Sequence, residues 1–335
     1  MLRIVAPSEA PPASIKSLLR GYPYRAFQQR RQEIDRDKLA DMLWDQLKGG
    51  LNDASKDHAL AFDGTTLLGM AGLIPDAWHS EVFGLRMAKI QPFLIYPAPR
   101  QAGPLLIETL LGHARQRGYA HLSCRVDASD WPAMQLLEQA GFWLVDGSQK
   151  LTRRLGGRPF ETVAPPEDIE MGPLREGDEE RLAAIASAAH DTNHFFNDPS
   201  LGAEAARRLF AEWVRRCCRG LARHVFVARN GREPVGFVTY LGAVALKKYL
   251  GLNLIVLDFI VTDRSWQGKG IARWLLSESL NALAGRYDWV ELRTSFNNYP
   301  ALSLYHRLGF ETIASDVILH KKIVDDGTNA GIGLA

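Results

Sequence analysis

The chain has 335 residues, 46% of them hydrophobic and 23% charged, enough for about two globular domains and too apolar for a disordered or fibrous chain. Forty Lys plus Arg against 38 Asp plus Glu leave a net charge of +2, which offers no general attraction to nucleic acid. Any anion site has to be local, and no nucleic-acid partner is expected.

In chain order, Met1 to Pro12 carries Pro7, Glu9, Pro11 and Pro12 where a secretory signal needs an apolar run, so export is not expected. Arg30 to Lys38 is a charged run that reads as a solvated helix face. The three cysteines, Cys124, Cys217 and Cys218, are an odd number without ligand-like spacing, which predicts thiols in a reducing, cytoplasmic compartment. Gly156, Gly157, Pro159, Pro165, Pro166 and Pro173 mark an interdomain linker. The division expected is a first domain over 1–158, a linker over 159–168, a second domain over 169–325 and a flexible tail over 326–335. The most apolar stretch, Leu250 to Val261, is interrupted by Asn253 and Asp258, so no membrane span is expected. Within it Leu254 to Val261 reads as a strand. Ile271 to Leu283 follows with helical spacing, Ile271, Trp274, Leu275 and Leu283 lying on or near one face and Gly285 serving as a C-cap. This alternation predicts mixed α/β (α+β) domains.

Two segments repeat. Asp130-Trp-Pro-Ala-Met-Gln-Leu-Leu-Glu-Gln-Ala-Gly-Phe142 aligns with Asn298-Tyr-Pro-Ala-Leu-Ser-Leu-Tyr-His-Arg-Leu-Gly-Phe310, and the same offset pairs Arg125 with Arg293. Two copies indicate a duplicated domain rather than a solenoid. In the second half, Gln267-Gly-Lys-Gly270-Ile-Ala272 lies between the predicted strand and helix, where backbone N–H groups and the helix dipole can hold a pyrophosphate. The loop is not a Walker sequence, and Arg273 stands where a dinucleotide fingerprint needs its third glycine. Taken alone, a bland strand-to-helix turn is the better explanation of it.

The loop is followed by an apolar segment, Trp289 to Leu292, and then by Asn298-x-x-Ala301-x-x-Leu304-Tyr305-x-x-x-Gly309-Phe310. This order and spacing resemble the GNAT superfamily of acyl-CoA-dependent N-acetyltransferases. The resemblance implies two tandem GNAT-fold domains, each a mixed central sheet flanked by helices, with acetyl-CoA as cofactor. It implies that the backbone of Gln267, Gly268, Lys269, Gly270, Ile271 and Ala272 holds the CoA pyrophosphate. It also implies that the strand ending at Val261 and Thr262 splays from its neighbour to admit pantetheine, and that a main-chain N–H there polarises the thioester carbonyl. Asn298 would contact the pantetheine arm, and Tyr305 would protonate the departing thiolate. Against these roles stand a plain N-cap for Asn298 and a core aromatic for Tyr305. Gly309 and Phe310 read as a C-cap and a core anchor.

An ammonium acceptor has to lose a proton before it attacks. Asp258, alone in an apolar strand, is the candidate base, and a structural carboxylate is its equal rival. His190 and His194 are alternatives acting through water. The first half departs from the pattern, with Leu137 at the place of Tyr305 and Asp130 at that of Asn298. Its loop, Arg100-Gln-Ala-Gly103-Pro-Leu105, keeps an Arg and one glycine, but Leu105 replaces the small final residue and Pro104 removes an N–H donor. It reads as a degenerate GNAT-like domain, its acid hydroxyl lost, that shapes the second. Scattered patches, Trp78 to Ile90, Phe195 to Pro199 and Leu209 to Arg215, resemble the TDP-fucosamine acetyltransferase group, which implies a dTDP-4-amino-4,6-dideoxyhexose acceptor with Arg207 or Arg208 near its diphosphate. Core and interface packing is the better explanation of Trp78, Phe83, Phe195, Phe196 and Trp213, because aromatics are buried by default. Other small-molecule or protein amines (antibiotic, polyamine, peptide) and a non-catalytic acyl-CoA sensor stay open, as does the oligomeric state.

Overall fold

The computed structural model describes residues 1–24, 34–156, 159–161, 164, 168–189 and 193–323. His190, Arg30 to Gln32 with residue 33, and the expected tail over 326–335 lie outside the described residues. The first half of the chain forms β1 (Leu2–Val5), α1 (Pro12–Gly21), α2 (Arg36–Lys48), β2 (Asp57–Asp63), β3 (Thr66–Pro75), α3 (Ala77–Phe83) and β4 (Met87–Ile95). It continues with α4 (Pro99–Gln116), β5 (His121–Asp127), α5 (Trp131–Gln139) and β6 (Trp143–Arg154). The second half forms β7 (Ile169–Pro173), α6 (Asp178–Ala189), α7 (His194–Asn197), α8 (Ala203–Arg216), β8 (His224–Asn230), β9 (Glu233–Gly242) and α9 (Val244–Leu250). It ends with β10 (Leu254–Thr262), α10 (Ile271–Leu283), β11 (Trp289–Ser295), α11 (Tyr299–Arg307) and β12 (Glu311–Lys322). The expected strand and helix around the glycine loop are thus β10 and α10. Gly285, at φ +81°, follows the last helical turn, and Gly309, at φ +74°, does the same after α11.

These elements pack into two compact units. Of the described residues, the first holds 1–24 and 39–145 and takes the chain back at Val317 along β12; the second holds 34–38 and 146–316. In the first, the strands lie in the order β1-β2-β3-β4-β5-β12, and in the second β6-β11-β10-β9-β8-β7. Only β4 with β5 and β10 with β11 are recorded as parallel pairs; the other recorded pairs are antiparallel. The mixed α/β class read from the sequence is the class observed.

Compactness differs from the linear division expected at 158 and 169, and strand pairing is the reason. β6 comes from the first half of the chain, yet its residues Ser148 to Arg154 pair antiparallel with Ser295 to Trp289 of β11 in the second unit. A seven-residue ladder outweighs proximity in sequence. Phe160, within the expected linker, is buried in the second core, and its backbone N–H and carbonyl both pair with the Asn281 side chain of α10 at 2.8 and 3.1 Å.

The first unit packs α4 against α5 through Gly103. A Cβ there would lie 2.3 Å from Leu136 Cδ1 and 3.2 Å from its Cγ, so the helices approach only because this side chain is missing. Gly103→Ala is expected to cost about 1–3 kcal/mol through overpacking. Thermal unfolding should show a lowered Tm with acetyl-CoA affinity unchanged.

Candidate active site

β10 and β11 run parallel only from Leu254 to Leu257 and from Trp289 to Leu292. Beyond that, β10 stays with β9 as far as Thr262, and β11 stays with β6 as far as Ser295. The two central strands part after Leu257, so their facing backbone groups open toward whatever enters the cleft. The first unit keeps the same feature, since β4 pairs with β5 only over Met87 to Ile90.

A bulge marks the parting point. The β10 register passes from Leu257 opposite Tyr240 to Phe259 opposite Thr239, leaving Asp258 as the extra residue. One extra residue reverses the facing of everything after it. Ile255 and Leu257 accordingly join the core with α10 and α11, whereas Phe259 and Val261 join the core with α6 and α8.

Asp258 is half-buried, and its Oδ2 accepts from Trp213 Nε1 at 2.7 Å, Thr239 Oγ1 at 3.3 Å and Cys217 Sγ at 3.7 Å. All three donors are neutral. Burial raises its pKa above the ordinary carboxylate value, and the donors offset part of that rise. No hydrogen bond among the described residues reaches Oδ1. The carboxylate is fixed at one oxygen by three neutral donors, and its other oxygen has no partner among the described residues.

Trp213, Thr239 and Cys217 are what sequence reasoning missed. Trp213 reads in the sequence as packing, yet its indole is the shortest of the three hydrogen bonds holding Asp258. A carboxylate inside an apolar strand was the available signal, since such a group needs donors from neighbouring elements. Cys217 and Cys218 both sit where the thiol form is favoured. Burial, then the Asp258 charge, pushes the Cys217 thiol up, and burial with Glu179 and Asp178 pushes Cys218 up to about 11.

Tyr305 is buried in the same core as Leu257 and Leu292, its ring 5.8 Å from that of Phe310. Burial raises its pKa, so the phenol stays protonated through the neutral range. Its hydroxyl makes no hydrogen bond among the described residues. By contrast, the nearby Tyr240 hydroxyl pairs with Ser279 Oγ at 2.7 Å. Asn298 caps α11, its Oδ1 accepting from the Ala301 N–H at 3.4 Å while its Nδ2 donates to Thr294 Oγ1 at 3.2 Å. The capping role weighed in the sequence is therefore filled, and both ends of the amide are engaged.

The glycine loop is defined by its backbone conformation. Gly268 and Gly270 have φ of +75° and +81°, a left-handed geometry that other residues adopt at a cost of about 1–2 kcal/mol. A Cβ at either would meet open space, so backbone conformation and not crowding requires glycine. Gly270 caps α10 without any side-chain hydrogen bond, and the first intrahelical bond runs from the Trp274 N–H. The N–H groups of Ile271 and Ala272 therefore point along the helix axis into the loop. Gln267 Nε2 donates to the Thr262 carbonyl at 3.2 Å and ties the loop to the end of β10. Lys269 extends over the Trp266 ring, its Nζ 4.2 Å from the centroid. Val261 and Thr262 are buried at the strand end.

Arg100 to Leu105 corrects the sequence reading. These residues are not a loop but the first turns of α4, which begins at Pro99. Pro99 supplies no N–H at the helix start, and Gly103 serves helix packing. The matching acid position is filled by the fully buried Leu137, and Asp130 caps α5 through the Ala133 N–H while accepting from the Tyr22 hydroxyl. Of the histidine alternatives, His194 opens α7 with its ring 3.8 Å from that of Phe195.

Residues 222–312 match the acetyltransferase (GNAT) domain. The chain is 25% identical to the spore coat polysaccharide biosynthesis protein SpsD of Bacillus subtilis, over 77% of this chain and 86% of that one. It is 28% identical to a mycothiol acetyltransferase of Saccharomonospora viridis over 78% and 82%, and 24% identical to the dTDP-fucosamine acetyltransferase of Escherichia coli over 71% and 93%. A tandem GNAT protein from the clavulanic acid biosynthesis pathway shares the fold over 96% of this chain and 98% of its own, with a TM-score of 0.59 and 16% identity. No described helix is long and apolar enough to cross a membrane. Residues 222–312 are a GNAT acetyltransferase domain, and by it the chain is an enzyme of the acetyl-transferring class.

Proposed function

We propose that the second unit transfers an acetyl group from acetyl-CoA directly to the amine of a sugar-derived acceptor, with a dTDP-4-amino-4,6-dideoxyhexose as the favoured substrate. The observation that carries the direct transfer is Asp258, anchored through Oδ2 and open at Oδ1, at the point where β10 and β11 part. Bound acetyl-CoA would supply the acetyl group as a thioester. The residues fit it: N–H groups at the start of α10, two open left-handed glycines and the parted strands. In this reading Asp258 takes the proton of the acceptor ammonium at Oδ1, and Tyr305 gives its phenolic proton to the departing thiolate. Backbone N–H groups freed along β10 polarise the thioester carbonyl. The raised thiols of Cys217 and Cys218 support transfer without an acyl-cysteine. An unpartnered Tyr305 hydroxyl speaks against a non-catalytic acyl-CoA sensor. The free cysteines support a reducing cytoplasm.

The sugar acceptor is supported by two relatives, one a spore coat polysaccharide biosynthesis protein and the other a dTDP-fucosamine acetyltransferase. Thiol release from acetyl-CoA tests it against dTDP-amino sugars, glucosamine derivatives, spermidine, an aminoglycoside and a peptide amine. The dTDP-amino sugar should show the highest kcat/KM, and preference for a polyamine or peptide overturns the acceptor while leaving acetyl transfer in place. Because the amine reacts in its neutral form, kcat/KM should rise with pH until the amine and Asp258 have both lost their protons.

Cofactor binding is expected at one acetyl-CoA per chain, read as calorimetric stoichiometry. Two equivalent sites would assign a cofactor role to the first unit as well. Gly270→Ala should weaken acetyl-CoA about tenfold, because a strain of about 1.4 kcal/mol falls on the conformation that aims the N–H groups.

A further inference from the structure

A cavity of about 590 Å³ opens where β8 begins, lined by Gly172 and Pro173 of β7, by Cys217 and by Arg223, His224 and Arg286. Part of its lining comes from the turn Cys217–Leu221, which is wound wider than an α-helix and in which Gly220 has φ of +107°. Wide turns of this kind interrupt helices frequently at functional sites. Two arginines and a histidine line the cavity, and no acidic residue does. Among the described residues neither guanidinium is in an ion pair. His224 Nε2 lies 2.9 Å from the Tyr287 hydroxyl. Burial, then the charges of Arg223 and Arg286, holds its pKa below the ordinary histidine value.

This cavity is separate from the cofactor loop. Thr262 pairs with Gly236 and Gly236 with Ala228, four residues along β8 from His224, which is about 13 Å at strand rise. It is close to the candidate base instead, because Cys217 both lines the cavity and donates to Asp258 at 3.7 Å.

We infer that this cavity binds the phosphate groups of a phosphorylated ligand, gripped by Arg223 and Arg286 and closed on one side by His224. Guanidinium pairs match phosphate oxygens in geometry and charge, and the lining offers no competing carboxylate. The phosphate has two sources to separate, the diphosphate of a nucleotide-linked acceptor or a free phosphorylated metabolite. Pyrophosphate binding does not depend on which acceptor the enzyme acetylates.

Calorimetry with inorganic pyrophosphate and with dTDP should give saturable binding at millimolar concentration or tighter, weakened at least tenfold in Arg223→Gln/Arg286→Gln. Both side chains are exposed, and an unchanged acetyl-CoA affinity confirms an intact second unit. As a second readout on the unaltered protein, the His224 ring should titrate at higher pH when pyrophosphate is bound, because an anion offsets the two arginines. An increase in KM for the dTDP-amino sugar with KM for a nucleotide-free amine unchanged assigns the site to the acceptor; an unchanged KM with lost pyrophosphate binding assigns it to a separate metabolite. No binding by the unaltered protein, or equal binding by the double variant, overturns the inference.

Discussion

Tyr305→Phe is expected to lower kcat by about 10²- to 10⁴-fold while leaving acetyl-CoA affinity within about twofold. The split follows from the surroundings of the hydroxyl. It has no hydrogen-bond partner among the described residues, so its removal leaves no buried group unpaired, and the ring keeps its place beside Phe310 in the second core. Tm should therefore be unchanged. Proton delivery is required only as the thiolate leaves, so the loss appears in kcat and not in the cofactor Kd. An unchanged kcat in the folded variant would reduce Tyr305 to a packing residue.

Asp258→Asn carries the other large effect, and it moves activity and stability in opposite directions. The asparagine keeps an oxygen for Trp213, Thr239 and Cys217 and turns its amide to the open side, but it cannot take a proton. A drop in kcat/KM of about 10²- to 10⁴-fold is expected for an ammonium acceptor, with the acidic limb of the pH profile lost. Burial raises the folded-state pKa of Asp258 above its ordinary value of 3.8. A carboxyl raised in the folded state binds protons more tightly there than in the unfolded chain. Stability therefore falls as pH rises from the ordinary carboxylate range through the raised value, and above it the charge is a standing cost. Asp258→Asn should have a higher Tm than the parent at pH 7.5, the advantage vanishing in acid. A lower Tm with retained activity would make Asp258 a structural group.

The second unit was legible where a single residue type has a single physical use. Gly268 and Gly270 stand at positive φ, the apolar period of Ile271 to Leu283 is α10 to the residue, and Asn298 is a cap, all consequences of local chemistry. Three things were not local. The Asp258 bulge depends on the register of β10 against β9, which no periodicity in Leu254 to Val261 reveals. The donors to Asp258 come from α8, β9 and the turn after α8, up to 45 residues away in sequence. Arg100 to Leu105 was misread because a glycine that permits helix packing looks, in sequence, like one that permits a turn. Only the Leu136 side chain against Gly103 distinguishes them.

The exchange of end strands also sets an order of events during synthesis. β5 has β12 as its neighbour, and the Ile323 N–H closes on the Ala120 carbonyl at 2.9 Å, so this edge of β5 stays unpaired until β12 has left the ribosome. The second unit obtains β6 early and can pair it with β11 before β12 is made. The domain translated first is thus the one finished last, with a bare strand edge that invites pairing with other nascent chains. Ending translation after Asp316 should produce aggregation even though the whole catalytic loop and Tyr305 are present. Chaperone dependence of this protein should track the final segment from Val317 onward, far from the residues that do the chemistry.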